Sequence, residues 1–581
     1  MSQLKWWQKA VFYQIYPRSF ADGNGDGIGD FKGMIDRLDY LKSLGVDGIW
    51  LSPHYPSPQH DCGYDISDYT AVAPEYGTLE EFKTFLDGLH RRGMYLILDL
   101  VLNHTSHLHS WFQESRSSRE NPKRDWYIWQ DGKNGNPPNR WYSSFGGSAW
   151  EFDPLTGQYY YHYFLKEQPD LNWRNPEVKQ AMFDAVRFWL DLGVDGFRLD
   201  AIGTIYEDPA LPDQPTDETL EDLYRLFMQA TTPEAIRKAN QLFEQTFKYQ
   251  HDQPGIHELM RELRALLDQY PERILVGETD QVSFYGDGTN ELHMVFNFPL
   301  METQRLTAAW VRANQRHRLR TIPIAGWPCN TLGNHDSPRI LSRFGDGQHN
   351  AEWARLCLAL LLTLRGTPFL YNGEEIGMTD HRIQDLAQFR DFLAVNAYQM
   401  LRKAMGMPEE QALKMAASFT RDKNRTPMQW SHTTNAGFCP PDVMPWLPVN
   451  PNYAEGINVS EQECDPNSLL HYYRRMLAVR RSTPALVAGD YQPLLEKSRS
   501  VLAFLRSTPE QTCLVALNMS AKARTVNLGL GQKVKRLVFS SQPRRKDANS
   551  LDALRLSPFE VYVATLEGRV SVTIPNGRSY P

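Results

Sequence analysis

Three carboxylates in this chain each end a short apolar run: Asp200 in GVDGFRLDAI, Glu278 in RILVGETD and Asp336 in NTLGNHD. An apolar run that stops at a polar residue is the pattern of a barrel strand emerging at its catalytic face. Together with Arg198, His104 and His335, they suggest chemistry on a glycosidic bond. That reaction needs a nucleophile or base, a proton donor, and stabilisation of positive charge on the sugar ring. Arg198 and Asp200 lie two apart on a strand, so they point the same way. A guanidinium beside a carboxylate lowers its pKa and keeps it ionised, which suits a nucleophile. Glu278 follows Ile274, Leu275, Val276 and Gly277. A carboxyl at the mouth of such a strand is expected to be desolvated and to hold its proton near neutrality, which suits a general acid. Asp336, beside His335, is placed to bind sugar hydroxyls and to stabilise positive charge. Each position alone has a plainer reading, since a lone Asp at a strand end is commonly a turn or helix cap and an Arg-x-Asp pair is commonly a structural ion pair. Three such sites with two histidines, at successive strand ends, make that reading poor.

The elements that would position these residues alternate along the chain. LGVDGIWL at 44–51 recurs as LGVDGFRL at 192–199, and RRGMYLILDL at 91–100 repeats the logic. In both copies of the repeat a helix pattern ends at a Gly able to take a left-handed cap, and a buried strand pattern follows at once. Val178, Ala181, Met182, Ala185, Val186 and Trp189 recur at spacings of three and four, giving one apolar helix face. Ile35, Leu38 and Leu41 do the same before the first copy. Strand candidates lie at 10–17, 46–52, 95–102, 194–200, 273–278, 293–298, 328–334 and 367–372, with helix patterns in most gaps. Eight parallel strands with crossover helices predict an α/β fold, a TIM (β/α)8 barrel, over residues 1–104 and 176–499. Residues 105–175, rich in Trp, Tyr, Gly and Pro, form a small inserted domain after the third strand. Residues 204–262 are polar and mostly helical in pattern, and 373–455 mix helix patterns with a Pro-rich loop. From 500 to 581 short strand-like runs such as TCLVALNMS and FEVYVATL predict a C-terminal antiparallel β-sandwich domain.

Composition excludes some classes. A length of 581 residues is too long for one ordinary domain. The net charge of -7, with no basic run, argues against a nucleic acid partner. The absence of a long apolar stretch argues against a membrane span, and the N-terminal MSQLKWWQKAVFYQIY lacks a signal-peptide core. Six scattered Cys without a CxxC pair read as free thiols in a reducing compartment, so a cytoplasmic protein is expected. An aromatic content of 12% fits sugar-ring stacking and a large aromatic core equally well.

Asp22, Asn24, Asp26 and Asp30 alternate with Gly, resembling the start of an EF-hand loop, and the carbonyl of Ile28 could add a further oxygen. Gly33 stands where the distal Glu would be. The spacing alone fits a metal loop and a Gly-Asp turn equally.

DLVLNHTS (99–106), GFRLDAI (196–202), GETD (277–280) and GNHDSPR (333–339) resemble the conserved regions of the α-amylase family of glycoside hydrolases, in the family's order. QPDLNW (168–173) and GVDGIWLSP (45–53) resemble its two supplementary regions. AVFYQIYPRSF, DGNGDGIGD, GYDISDY, FGGSAW and NRTPMQW are similar to the exo-acting branch that includes α-glucosidase, oligo-1,6-glucosidase, sucrose isomerase and trehalose synthase. The resemblance implies that Asp200 is the nucleophile, Glu278 the general acid/base and Asp336 the transition-state stabiliser. It implies that His104, His335 and Arg198 hold the first glucose, that Asp61 and Arg425 close the pocket on its far hydroxyls, and that Tyr64 stacks on the ring. Phe145, Phe164 and Arg421 are further candidates for the pocket wall. The implied mechanism is retaining double displacement, with the two carboxyls roughly 5 to 5.5 Å apart. The resemblance also implies structural Ca²⁺ in the Asp22–Asp30 loop, with Mg²⁺ as the alternative.

Ala201 follows the nucleophile. In related enzymes a small Ala or Thr there accompanies α-1,4 preference and Val accompanies α-1,6 preference; the plainer reading of Ala201 as a packing residue is the weaker one, so the residue tips the expectation to α-1,4 linkages. The expected activity is release of α-glucose from the non-reducing end of maltose and short maltooligosaccharides, with transglucosylation. A sucrose isomerase, a trehalose synthase or an oligo-1,6-glucosidase is the alternative. Two positions depart from the branch's pattern: Cys62, where it usually has Asn, and Asp280, two residues after the acid. Asp280 is read either as an acceptor-side carboxylate favouring transfer or as a solvated strand end. A non-catalytic transporter ectodomain is a third reading, and it fits poorly because all three carboxylates are kept. The oligomeric state is open.

Overall fold

The computed structural model of the chain describes residues 4–230, 232–403, 405–544 and 551–568. Eight parallel strands appear where the apolar runs place them: β1 (Phe12–Ile15), β2 (Gly48–Leu51), β3 (Tyr95–Val101), β4 (Gly196–Asp200), β5 (Ile274–Gly277), β6 (Met294–Val295), β7 (Cys329–Thr331) and β8 (Thr367–Tyr371). They pair in the order β7-β8-β1-β2-β3-β4-β5-β6. Side chains span the remaining seam between β6 and β7. The Cys329 thiol lies 3.3 Å from the Val295 carbonyl, and the Asn297 amide donates to Asn330 Oδ1 at 3.0 Å. A barrel strand buried on both faces reads as a continuous apolar run rather than an alternating one, as β2 and β5 do, whereas β7 is Cys-Asn-Thr.

The helix face predicted between β3 and β4 is borne out. The helix Pro176–Asp191 buries Val178, Met182, Ala185, Val186 and Trp189, with Ala181 partly buried against them. Before β2 the single predicted helix is two, Phe31–Asp36 and Leu38–Leu44, broken at Arg37 (φ -103°, ψ 7°). The repeat glycines Gly45 and Gly193 have φ of 97° and 103°, a left-handed conformation costly to any residue with a Cβ.

Residues 105–175 contain a three-stranded antiparallel sheet of Trp129–Gln130, Trp150–Asp153 and Gln158–Tyr161, with Gln158–Tyr161 central. This insert is stitched to the barrel by Leu171 N–H to the Asn103 carbonyl (2.9 Å) and by the Trp173 indole to the Leu102 carbonyl (2.7 Å). The segment after β4 supplies the helices Leu220–Gln229 and Pro233–Thr246. Leu220, Leu223 and Phe247 pack against Trp141, Trp150 and Tyr161 of the insert, so this segment buttresses the insert.

The C-terminal sheet is antiparallel: β9 (Asp490–Leu494), β10 (Val501–Ser507), β11 (Thr512–Asn518), β13 (Val534–Ser540) and β15 (Val561–Leu566), in the order β9-β10-β11-β15-β13. A two-stranded sheet of β12 (Arg524–Val526) and β14 (Leu554–Leu556) packs over its face through Leu554 and Leu556. The sheet therefore begins before residue 500, where the sequence pattern changes. Strand β9 was missed because it is an edge strand, exposed or partly exposed along its length and carrying Pro493. Among the described residues, no helix is long and apolar enough to cross a membrane.

Candidate active site

The ends of β3, β4 and β5 converge on one guanidinium. Arg198 donates through Nη1 to Asp99 Oδ1 and Asp200 Oδ1, each at 2.6 Å, and through Nη2 to Glu278 Oε1, also at 2.6 Å. The Arg198 and Asp200 side chains do share a side of β4, as their spacing requires. Arg198 is buried, and its guanidinium lies 5.2 Å from the centre of the Trp50 ring. Asp99 stands inside DLVLNHTS on β3, and a charge within a buried strand demands a buried partner. That demand was the signal that could have found it.

The electrostatics differ from the simple pair expected for Asp200. Burial raises its pKa well above the usual range, and neighbouring Glu278 raises it further, while Arg198 opposes both. One guanidinium shared among three carboxylates does not offset the desolvation of Asp200. Burial likewise lifts Asp99 to about 6.

Asp336 faces the opposite balance. Burial would raise its pKa, but the guanidiniums of Arg425, Arg421 and Arg198, with the His335 imidazole beside them, outweigh it and hold the carboxyl well below the usual range. Arg425 Nη2 and Arg421 Nη1 (3.5 Å) reach Asp336 Oδ1, and His335 Nε2 lies 3.2 Å from Oδ2. Asp336 is therefore held in its anionic form. His335 bridges Gln14 Nε2 at 2.7 Å and the Tyr64 hydroxyl at 2.5 Å. Burial pushes His104 down to about 3 and His335 well below its usual value, so both are neutral hydrogen-bonding groups. Tyr64 is stacked on His335 with ring centres 5.6 Å apart, and it donates to Asp99 Oδ2 at 3.1 Å.

Asp61 pairs with Arg421 (2.8 Å), not Arg425, whose side chain is fully buried and turned to Asp336 and the His335 carbonyl (2.9 Å). Arg421 is itself anchored by Asp391, with Nη2 to Oδ1 at 2.9 Å and Nε to Oδ2 at 3.1 Å. Gln168 Nε2 joins Asp61 (3.1 Å) and His104 Nε2 (2.9 Å). Neither Asp391 nor Gln168 was singled out. Gln168 sat inside a quoted motif, and Asp391 lies in the insertion after β8, where no pattern marks it.

A cavity of about 410 Å³ opens beside Glu278, walled by Phe145 and Phe164 of the insert and by Ala201, Thr204, Asp252 and Gln281. The rings of Phe145 and Phe164 are 5.2 Å apart, and Phe392 meets Phe145 at 4.5 Å. Cys62 sits in a left-handed turn beside Asp61, and burial pushes its thiol up to about 12, so it is unreactive. Asp280 is exposed, and its backbone carbonyl accepts from Arg318 at 2.5 Å.

Ala201 has φ 40° and ψ 45°, which L side chains seldom adopt. Its N–H donates to Glu278 Oε2 at 2.8 Å, and its carbonyl accepts from Thr204 Oγ1 at 2.8 Å and Thr204 N–H at 3.1 Å. Thr204 thus holds the turn that aims a donor at Glu278. Thr204→Val is expected to lower kcat by about 10- to 100-fold through misplacement of that carboxyl, with Thr204→Ser retaining activity. Steady-state kinetics of the two variants check this, and a fully active Thr204→Val would refute it.

In the loop after β1, Asp22 accepts the N–H groups of Asn24 (3.1 Å), Gly25 (2.6 Å) and Gly27 (2.8 Å), and Asp26 accepts that of Ile28 (2.8 Å). Asp30 accepts from Gly23 and caps the helix at Gly33 (2.6 Å). The loop is held against the segment after β8 by Trp446 N–H to the Gly27 carbonyl (2.9 Å). Among the described residues no three His, Cys, Asp or Glu side chains converge as a ready metal cage. The loop's oxygen-only donor set nevertheless suits a hard cation, and burial, with Asp22 adding to it, raises the pKa of Asp30.

The family described as alpha amylase, catalytic domain, matches residues 14–489, and that described as maltogenic amylase, C-terminal domain, matches 491–563. An oligo-1,6-glucosidase of Parageobacillus thermoglucosidasius is 41% identical over 578 residues, covering 96% of this chain and 98% of the relative. A probable alpha-glucosidase of Rhizobium meliloti is 41% identical over 533 residues, covering 90% and 91%. Among solved structures, a mutant isomaltulose synthase of Erwinia rhapontici NX5 in complex with its natural substrate sucrose is similar with a TM-score of 0.87 at 37% identity, covering 98% of this chain and 100% of that one. Trehalulose synthase of Pseudomonas mesoacidophila MX-45 is similar with a TM-score of 0.86 at 38% identity, covering 97% and 100%.

Proposed function

The chain belongs to the α-amylase family of glycoside hydrolases, and on that premise we propose that it is a retaining exo-α-glucosidase acting on short α-1,4-linked glucosides. The observation that carries this reading is the single guanidinium of Arg198 holding both Asp200 and Glu278, with Asp336 kept anionic beside them. Asp200 attacks the anomeric carbon while Glu278 protonates the leaving oxygen. The β-glucosyl-enzyme is then hydrolysed by water activated by Glu278, and α-glucose leaves. Asp336 stabilises the positive charge that develops on the ring in both steps. Neutral His104 and His335 exchange hydrogen bonds with sugar hydroxyls at no cost in added charge.

Exo action is read from the buried Asp61–Arg421 pair, which on this reading would close the pocket beyond the first glucose. The α-1,4 preference rests on the small Ala201 beside Glu278. The names of the relatives favour a second reading. Oligo-1,6-glucosidases are among them, and a solved neighbour is a synthase bound to sucrose, so α-1,6 hydrolysis and sucrose isomerisation are the competing activities. Incubation with maltose, isomaltose, sucrose and trehalose, with products separated over time, tests the choice. Glucose from maltose ahead of isomaltose, appearing first as the α-anomer by NMR, is expected. Isomerised disaccharides with little free glucose would replace the hydrolase reading by the isomerase one. Transglucosylation would appear in the same experiment as trisaccharides at high maltose.

We assign Ca²⁺ to the loop of Asp22, Asn24, Asp26, the Ile28 carbonyl and Asp30, in a structural role. When bound, the ion would neutralise crowded carboxylates and stiffen the contact with Trp446. Stability is then expected to rise with calcium, by about 2.7 kcal/mol at a hundredfold excess over Kd. Melting scans with chelator and with graded Ca²⁺ or Mg²⁺ measure it. A melting temperature indifferent to all three marks a metal-free Gly-Asp turn. All six cysteines are free, and Cys464 is the exposed one, which supports a reducing, cytoplasmic location.

A further inference from the structure

A second cavity, of about 850 Å³, adjoins the one beside Glu278 and shares His251, Asp252 and Gln281 with it. It runs outward to the helix pair after β4, where Phe227 and Phe243 line it. These two rings are 41% and 36% exposed, whereas the packing of the helix pair on the insert is made by Leu220, Leu223 and Phe247. The two phenylalanines thus keep part of each ring open to the cavity and lie outside the cluster that packs on the insert. An aromatic path leads from them into the catalytic pocket. Phe243 lies 4.7 Å from Phe247, Phe247 lies 5.9 Å from Tyr163, and Tyr163 lies 4.9 Å from Phe164. The charged groups on the cavity wall are Glu244, Asp252 and Glu302 against Lys248, so an anionic occupant is disfavoured.

We propose that this groove is an aglycone site for α-glucosides whose leaving group is an uncharged alkyl or aryl alcohol. The proposal rests on the α-glucosidase reading, since the groove begins where a leaving group departs from Glu278. Water competes poorly for exposed phenylalanine faces, so an apolar tail lying along Phe243 and Phe227 leaves water on both sides of the contact. A sugar aglycone reaches only the first part of the groove, beside Asp252 and Gln281.

The test is a series of methyl to hexyl α-glucosides, together with a carboxylate-ended hexyl homologue and maltose, assayed with the wild type, Phe243→Ser and Phe227→Ser. For the wild type, kcat/KM is expected to rise about two- to fourfold per methylene, from the transfer free energy of a CH₂ group. The carboxylate-ended homologue is expected to lose that gain. In the two variants the gradient is expected to flatten, with circular dichroism confirming that both are folded. A flat series in the wild type, with maltose still cleaved, would overturn the groove and leave the glucosidase reading standing. A steep series that survives both substitutions would also overturn it. Failure to cleave maltose or any member of the series would remove both readings together.

Discussion

Glu278→Ala is expected to lower kcat on maltose by about 10²- to 10⁴-fold, the usual contribution of a positioned acid/base, while losing far less in the first step with aryl glucosides of weakly basic phenols. Such a leaving group departs with little proton assistance. The glucosyl-enzyme on Asp200 then accumulates, because water no longer has a base to activate it. Azide needs no base, so it should restore turnover and yield α-glucosyl azide by attack on the β-linked intermediate. Asp200→Gly is the mirror experiment. With the nucleophile gone, azide attacks the substrate directly and the product is β-glucosyl azide. The two carboxylates hang from neighbouring nitrogens of Arg198, so their roles cannot be told apart by position along the chain. The anomer of the azide product separates them, and the same anomer from both variants would refute the assignment.

Arg198→Leu is expected to cost about 3–5 kcal/mol of stability at pH 7, the loss typical of leaving buried charges unpaired. Burial alone would lower the pKa of Arg198, but Asp99, Glu278 and Asp200 reverse this, so the guanidinium is charged throughout. Without it, three carboxylates share one buried point. The folded-state pKa values of Asp99 and Asp200, already raised by burial, rise further above those of the unfolded chain, so the folded variant binds protons more tightly. Stability lost at pH 7 should therefore return as pH falls toward 5. Asp336 acts with the opposite sign. Its depressed pKa supplies stability that is present above the ordinary carboxylate range and lost as pH falls through and below it. Urea unfolding at pH 7 and pH 5 checks the account. A deficit equal at both pH values would mean lost packing rather than lost charge, and Arg198→Lys supplies a folded comparison should the leucine variant fail to express.

The barrel was legible because parallel strands buried on both faces are largely apolar, and a run such as ILVG leaves few alternatives. The same runs located Asp200, Glu278 and Asp336, since a polar residue at the end of a buried strand must reach solvent or a partner. Strand β9 escaped notice because an edge strand obeys no such rule. At the site, the spacing of Arg198 and Asp200 determined that they share a side of β4. Only the tertiary structure decided that the guanidinium is divided among Asp99, Asp200 and Glu278, and hence that the pKa of Asp200 is raised instead of lowered. Likewise Asp61 and the arginines of the segment after β8 were visible as residue types, but not which arginine meets Asp61. Asp391, 30 residues from Arg421 in sequence, made that choice by anchoring it. Residue types and local periodicity are set by the chain itself. Desolvation and the sharing of one charge among several partners are properties of a point in space, and distant segments meet there only once the barrel has closed.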